Sequence, residues 1–220
     1  MDQGKLFITS KENFRVQKIL VAAKYSGKTF KLQDKFDPDQ FPLASLPSGA
    51  GFEVKQGNGA EQKLSKSLAI AYFLSSEALK GGDNDLAKAE CLQWLLWGEE
   101  DLLPVLFNHV FPILGLLPKQ KSQEVKTELL RLLQRLNEDL AVKTFLVGDR
   151  ISLADISIAL NLVLLFKHGL LPEERDKFVH LMRWFNTIVN QKHVKDVLGA
   201  MEFCDKLEAL PQEAVKGFRI

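Results

Sequence analysis

One stretch constrains this chain more than any other: Thr144 to Phe166, TFLVGDRISLADISIALNLVLLF. From Ile156 onward it is apolar on every side except for Ser157 and Asn161, as expected of a helix enclosed by other elements. Asp155 stands at its start. Ser152 and Asp155 have the spacing of a capping box, with Ser152 at the N-cap and Asp155 three residues on, able to reach back to the Ser152 backbone N–H. Ile151 before the cap and Ile156 after it have the spacing of a hydrophobic staple. A catalytic role for Asp155 is the competing reading. No second carboxylate or histidine lies near it in sequence, so the cap is favoured.

Around that helix the hydropathy pattern divides the 220 residues in two. The first 82 read as strand, helix, strand, strand pair and helix, a small α/β domain. KLFIT is the first strand and SKENFRVQKILVAAKYSG a helix stopped at Gly27. TFKLQ is the second strand, GFEVKQGNGAEQKL a hairpin about Gly57-Asn58-Gly59, and SKSLAIAYFLSSEAL a helix ending before Gly81-Gly82. Residues 83–220 read as all helix. One long apolar run is expected to bend or break at Pro104 and Pro112. The next helix shows Val125, Leu129, Leu132, Leu133, Leu136 and Leu140 on one stripe.

Charge excludes some functions. The formal net charge is +1, so no global field favours nucleic acid or anionic lipid. Residues 1–80 sit near +4 and the rest near −3, which makes the α/β part the more basic one. The N-terminus lacks the charged start and apolar run of a signal peptide, and no apolar run reaches the ~20 residues that a bilayer requires. A cytoplasmic protein is expected. Cys91 and Cys204 are too few and too far apart for a disulfide framework or a zinc site, and the four histidines lack metal-ligand spacing. No metal site and no direct nucleic-acid contact are expected. Trp94 and Trp97 read either as core or as the lining of a groove between subunits.

A small α/β domain followed by helices, the central one opened by FLVGDRISLADI, resembles the glutathione transferase fold. That resemblance implies a thioredoxin-like N-terminal domain and an all-α C-terminal domain. The segments VFPILGLLP, TFLVGDRISLADISIA, HLMRWFNTIVNQ and VLGAMEFCDKL, in this order, narrow it to a translation-linked subgroup. Its members are transferase-like modules of elongation factor 1 gamma subunits and of some valyl-tRNA synthetases.

In a working transferase a hydroxyl after the first strand activates the glutathione thiol by donating to its thiolate. Here the resemblance puts Thr9 and Ser10 at that place. The proline before the third strand corresponds to the neighbourhood of Ala50-Gly51, with Pro47 displaced. The residue pair that receives the γ-glutamyl end corresponds to Lys66-Ser67, where a lysine replaces the usual acid or amide; Ser67 also reads as a plain N-cap. Ser67, Lys66 and Gly51 are thus the candidate glutathione-binding residues and Ser10 and Thr9 the candidate catalytic ones. No resident cofactor is expected, glutathione being the one small molecule that the resemblance adds. It also implies a non-catalytic scaffold that holds a nucleotide-exchange subunit of elongation factor 1, as a homo- or heterodimer. The alternatives are an active glutathione transferase and an appended assembly domain of an aminoacyl-tRNA synthetase, with aminoacyl-tRNA synthetases as further partners.

Overall fold

The computed structural model describes residues 4–44, 49–55, 60–118 and 122–211. Pro47 and the Gly57-Asn58-Gly59 turn lie outside the described residues. The chain starts with β1 (Lys5–Ile8), α1 (Phe14–Tyr25) and β2 (Lys31–Gln33), then β3 (Ala50–Lys55), β4 (Glu61–Leu64) and α2 (Ser67–Leu74). Among the described residues the sheet order is β2-β1-β3-β4, with β1 and β2 parallel and the other two pairs antiparallel. Leu6 and Ile8 alternate inward from β1 against Val16, Ile19 and Ala22 of α1. Asn13 caps α1 by accepting the Arg15 N–H at 2.9 Å.

The helical part follows: α3 (Asp85–Trp97), α4 (Leu103–Leu114), α5 (Ser122–Asp139), α6 (Leu153–His168), α7 (Pro172–Arg175), α8 (Val179–Val189) and α9 (Lys192–Leu198). The expected break in the long apolar run comes before its prolines. Residues Gly98–Leu102 form a π-turn, and Pro104 sits in the first turn of α4, where its missing N–H costs little. Pro112 does not break α4, which runs two residues further and stops at left-handed Gly115. The π-turn lies tight on α6. A Cβ on Gly98 would come within 3.1 Å of Ile158, and the Asn161 side chain donates to the Gly98 carbonyl at 3.0 Å.

Helix α6 is the axis of the molecule, touching α1, α3, α4 and α8. One continuous apolar core joins the α/β and helical parts through it. At its start Ser152 Oγ accepts the Asp155 N–H, and Asp155 Oδ2 accepts the Ser152 N–H at 2.8 Å and the Ser152 hydroxyl at 2.6 Å. Oδ1 accepts two further donors that the sequence pattern did not reveal, the Leu146 N–H at 2.9 Å and the Trp184 indole N–H at 2.8 Å. Asp155 is fully buried. Burial pushes its carboxyl above the usual aspartate value, while these four donors pull the other way. Half-buried Ile151 packs on the core that contains Ile156.

Asp155 therefore ties the 140s loop and α8 to the start of α6. Asp155→Asn would turn an amide N–H toward groups that are themselves donors, and a loss of about 3–5 kcal/mol is expected. Trp184→Phe, which keeps the ring but removes one N–H, should lose about 1.5–3 kcal/mol, and Ser152→Ala about 1–2 kcal/mol. Urea unfolding of the three variants measures this order. A Trp184→Phe midpoint equal to that of the original chain would show the indole bond to be inert.

Candidate functional site

The turn between β1 and α1 carries both candidate hydroxyls, and both are engaged within the chain. Thr9 uses its backbone N–H and its hydroxyl on the Gly49 carbonyl, at 2.9 and 3.2 Å. The Asn13 amide donates back to Thr9 Oγ1 at 3.4 Å, so the same asparagine that caps α1 also holds this turn. Ser10 donates its hydroxyl to the Glu12 carboxylate and accepts the Glu12 N–H at 3.2 Å, a side-chain turn of the kind serine favours. The Ser10 hydrogen bond, together with the backbone bond and nearby Lys11, holds the exposed Glu12 carboxyl below the usual range despite slight desolvation.

Gly51 lies in β3 opposite Phe7. A Cβ there would sit 2.6 Å from the Phe41 ring, so glycine is required for Phe41 to close over the strand. Phe7, Phe36 and Phe41 cluster there, with ring centroids 5.5 and 5.7 Å from Phe41. Ser65 donates to the Pro42 carbonyl and pins the entry to α2. The N-cap is Lys66, whose side chain makes no capping bond. Ser67 is the first helical residue, so its reading as N-cap is corrected: the chain turns helical one residue after the Ser65 anchor. Ser67 is buried and Lys66 exposed.

Beside this turn, α1 places charges that the sequence did not single out. Lys18 is fully buried and donates to Glu99 of the π-turn. The Arg15 guanidinium lies 4.7 Å from the Phe14 ring and 5.5 Å from the Phe107 ring, and its Nη1 is buried without a hydrogen-bond partner. Burial pushes the Lys18 ammonium and the Arg15 guanidinium down, against the pull of Glu99. Desolvation raises the Glu99 carboxyl, but Lys18, Arg15 and Asn161 outweigh it and hold it below the usual value. The spacing Phe14-Arg15-Lys18 on one helix was the available signal. Its partner Glu99 lies 81 positions away and gave none.

Trp94 and Trp97 are half-buried, pack edge to face at 5.4 Å and line a 310 Å³ hollow with Glu90, Gln93, Arg135, Asp139 and Lys143. The rim of that hollow is neutralised by Lys143–Glu90 at 3.0 Å and Arg135–Asp139 at 3.5 Å. Among the described residues no group of His, Cys, Asp or Glu is arranged to hold a metal ion, and no helix is long and apolar enough to cross a membrane.

The buried pair makes a pH prediction. The folded-state pKa of Glu99 is depressed, so its contribution to stability is present above the ordinary value of 4.5 and is lost as pH falls below it. Lys18→Met leaves Glu99 without its partner and should cost about 3–5 kcal/mol at neutral pH. Lys18→Met/Glu99→Leu should be closer to the original chain than either single variant, with a shallower loss of stability below pH 4.5. Denaturant midpoints across an acid pH series read both effects, and an acid slope identical to the original would contradict them.

Comparison with known proteins places this arrangement. The family model for the glutathione S-transferase C-terminal domain matches residues 102–192. Elongation factor 1-gamma of Drosophila melanogaster is 39% identical over 216 residues, covering 94% of this chain and 48% of that protein. The Artemia salina protein of the same name is 37% identical, at 94% and 49% coverage. The chain thus spans about half the length of the curated relatives it matches. Among solved structures, the GST-like domain of elongation factor 1-gamma from Saccharomyces cerevisiae superposes with a TM-score of 0.80 at 26% identity, covering 96% of this chain and all of that one. Poplar glutathione transferase F1 gives 0.74 at 20% identity, with 90% and 97% coverage, a likeness of fold. With its small thioredoxin-like sheet domain and its helices gathered round a capped central one, the chain has the glutathione transferase fold and is similar over nearly its whole length to the GST-like part of elongation factor 1-gamma.

Proposed function

We propose that the chain is a non-catalytic binding module of the translation elongation factor 1 complex, acting in the cytoplasm and holding a nucleotide-exchange subunit of that complex. The observation that carries the non-catalytic part is the Ser10–Glu12 bond. A glutathione thiolate needs a free donor. Here the donor is directed at a carboxylate, and that carboxylate would repel the thiolate. Thr9 is engaged with the Gly49 carbonyl, and Phe41 covers Gly51, the strand position at which the family presents backbone to the cysteinyl part. The likeness to elongation factor 1-gamma over 94% of the chain supports the assignment to translation.

A transferase-fold subunit offers apolar side chains to a second such chain. On α3, Leu92 and Leu96 are four residues apart, on one face of the helix, and exposed. We assign dimerisation to this face, beside the Trp94–Trp97 hollow.

Gel filtration of the purified chain with purified exchange subunit from the same source tests the scaffold reading. A co-eluting complex is expected. Failure to associate, with retention of an aminoacyl-tRNA synthetase in its place, would overturn the reading in favour of a synthetase-assembly module.

A further inference from the structure

Where α1, β2 and α9 meet, the surface opens into a 320 Å³ groove separate from the Trp94–Trp97 hollow. Its floor is apolar: Leu20 and Ala23 from α1, Phe30 and Leu32 from the β2 segment, and Val197 from α9. Apart from Ala23, which is buried, these side chains are only half-buried, so part of their apolar surface faces water. The rim is cationic. Lys11 precedes α1, and Lys24 and Lys28 lie at its end, so positive charge brackets the floor along the helix. The single rim carboxylate, Asp196, is 3.6 Å from Lys24. Among the described residues no carboxylate comes within ion-pair distance of Lys11 or Lys28. The 12 residues of α1 are about 18 Å long, which an extended segment of five or six residues would span. The groove also lies at the edge strand β2, at one end of the sheet.

We propose that this groove is the docking site for an acidic, extended segment of a protein partner. One or two of its apolar side chains rest on Leu20, Phe30, Leu32 and Val197, and its carboxylates reach Lys11 and Lys28. The proposal rests on the scaffold reading above and names the surface that such a partner meets. Charge complementarity selects the occupant. The floor needs apolar groups and the unpaired lysines need anions, and an acidic amphipathic peptide supplies both. RNA fits less well. No arginine lines the groove, its one aromatic ring, Phe30, is already in T-shaped contact with Phe52 at 88°, and Asp196 would repel phosphate. Because α9 contributes Val197 and Asp196, a segment bound here would touch the helical part as well as the sheet.

Selection from a random peptide library on the immobilised full chain tests the groove. The recovered peptides are expected to be rich in Asp and Glu, with one or two large apolar residues. They should bind Lys11→Glu/Lys28→Glu at least about tenfold more weakly, with a binding constant that falls as salt rises. Lys11 is exposed and Lys28 half-buried, neither with an ion-pair partner among the described residues, so the urea midpoint of the double variant should match that of the original and separate lost binding from lost folding. Three results would overturn the proposal: recovery of no peptide, recovery of basic or uncharged peptides, or equal binding to the double variant. Tighter binding of a mixed-sequence single-stranded RNA than of the selected peptides, lost in the same variant, would overturn the peptide as occupant. The exchange subunit separates the two readings. If it binds the double variant as tightly as the original chain, the scaffold stands and the groove assignment falls. If it fails to bind the original chain, the scaffold falls and the peptide selection alone decides the groove.

Discussion

Everything else in the structure hangs on one buried carboxylate. Asp155 gathers the Leu146 N–H, the N–H and hydroxyl of Ser152, and the Trp184 indole N–H around two oxygens. Three segments meet there: the loop before α6, the start of α6 and, 29 positions further on, the middle of α8. In a water-excluding core, each of those donors would be costly to leave alone, and so would the carboxylate. The set is stable only when complete. That completeness fixes how α6 enters the molecule, and α6 in turn presents Ile158 and Asn161 to the π-turn and packs against α1.

From α6 the order passes to the candidate site. Helix α1 lies against α6 on one side and carries Lys18 inward to Glu99, so the α/β part is joined to the helices by a buried ion pair as well as by apolar contact. The turn before α1 is then held by Asn13, which caps the helix and also donates to Thr9. In such a scaffold the polar groups at the β1–α1 turn serve the turn itself. With those hydroxyls engaged, the proposed function assigns binding to the outer surfaces, where apolar side chains and lysines remain open to solvent.

The sequence made local devices legible and left long-range pairings hidden. Ser152 and Asp155 declared the cap because their spacing is the whole signal. The strand and helix order of the first part followed from hydropathy period and from glycines such as Gly27. Trp184 as a ligand of Asp155, and Glu99 as the partner of Lys18, were not legible, because no local pattern links residues 29 and 81 positions apart. The prolines misled in one respect. Pro104 and Pro112 were expected to bend or break the long apolar run, but the π-turn beginning at Gly98 makes the break first, and Pro104 only opens the helix that follows. At the candidate site the resemblance located Ser10 and Thr9. It could not show that Glu12, two residues on, takes up the Ser10 hydroxyl, a matter of side-chain direction rather than spacing.

The most direct test of the central claim, that these hydroxyls serve the turn and not a thiol, is the thiolate difference absorbance of glutathione titrated with the chain at neutral pH. No thiolate signal above that of free glutathione is expected, because Ser10 donates to Glu12 and Thr9 to Gly49, so neither candidate hydroxyl is left to lower the thiol pKa. A saturable thiolate signal that disappears in Ser10→Ala would contradict the account and return the site to catalysis.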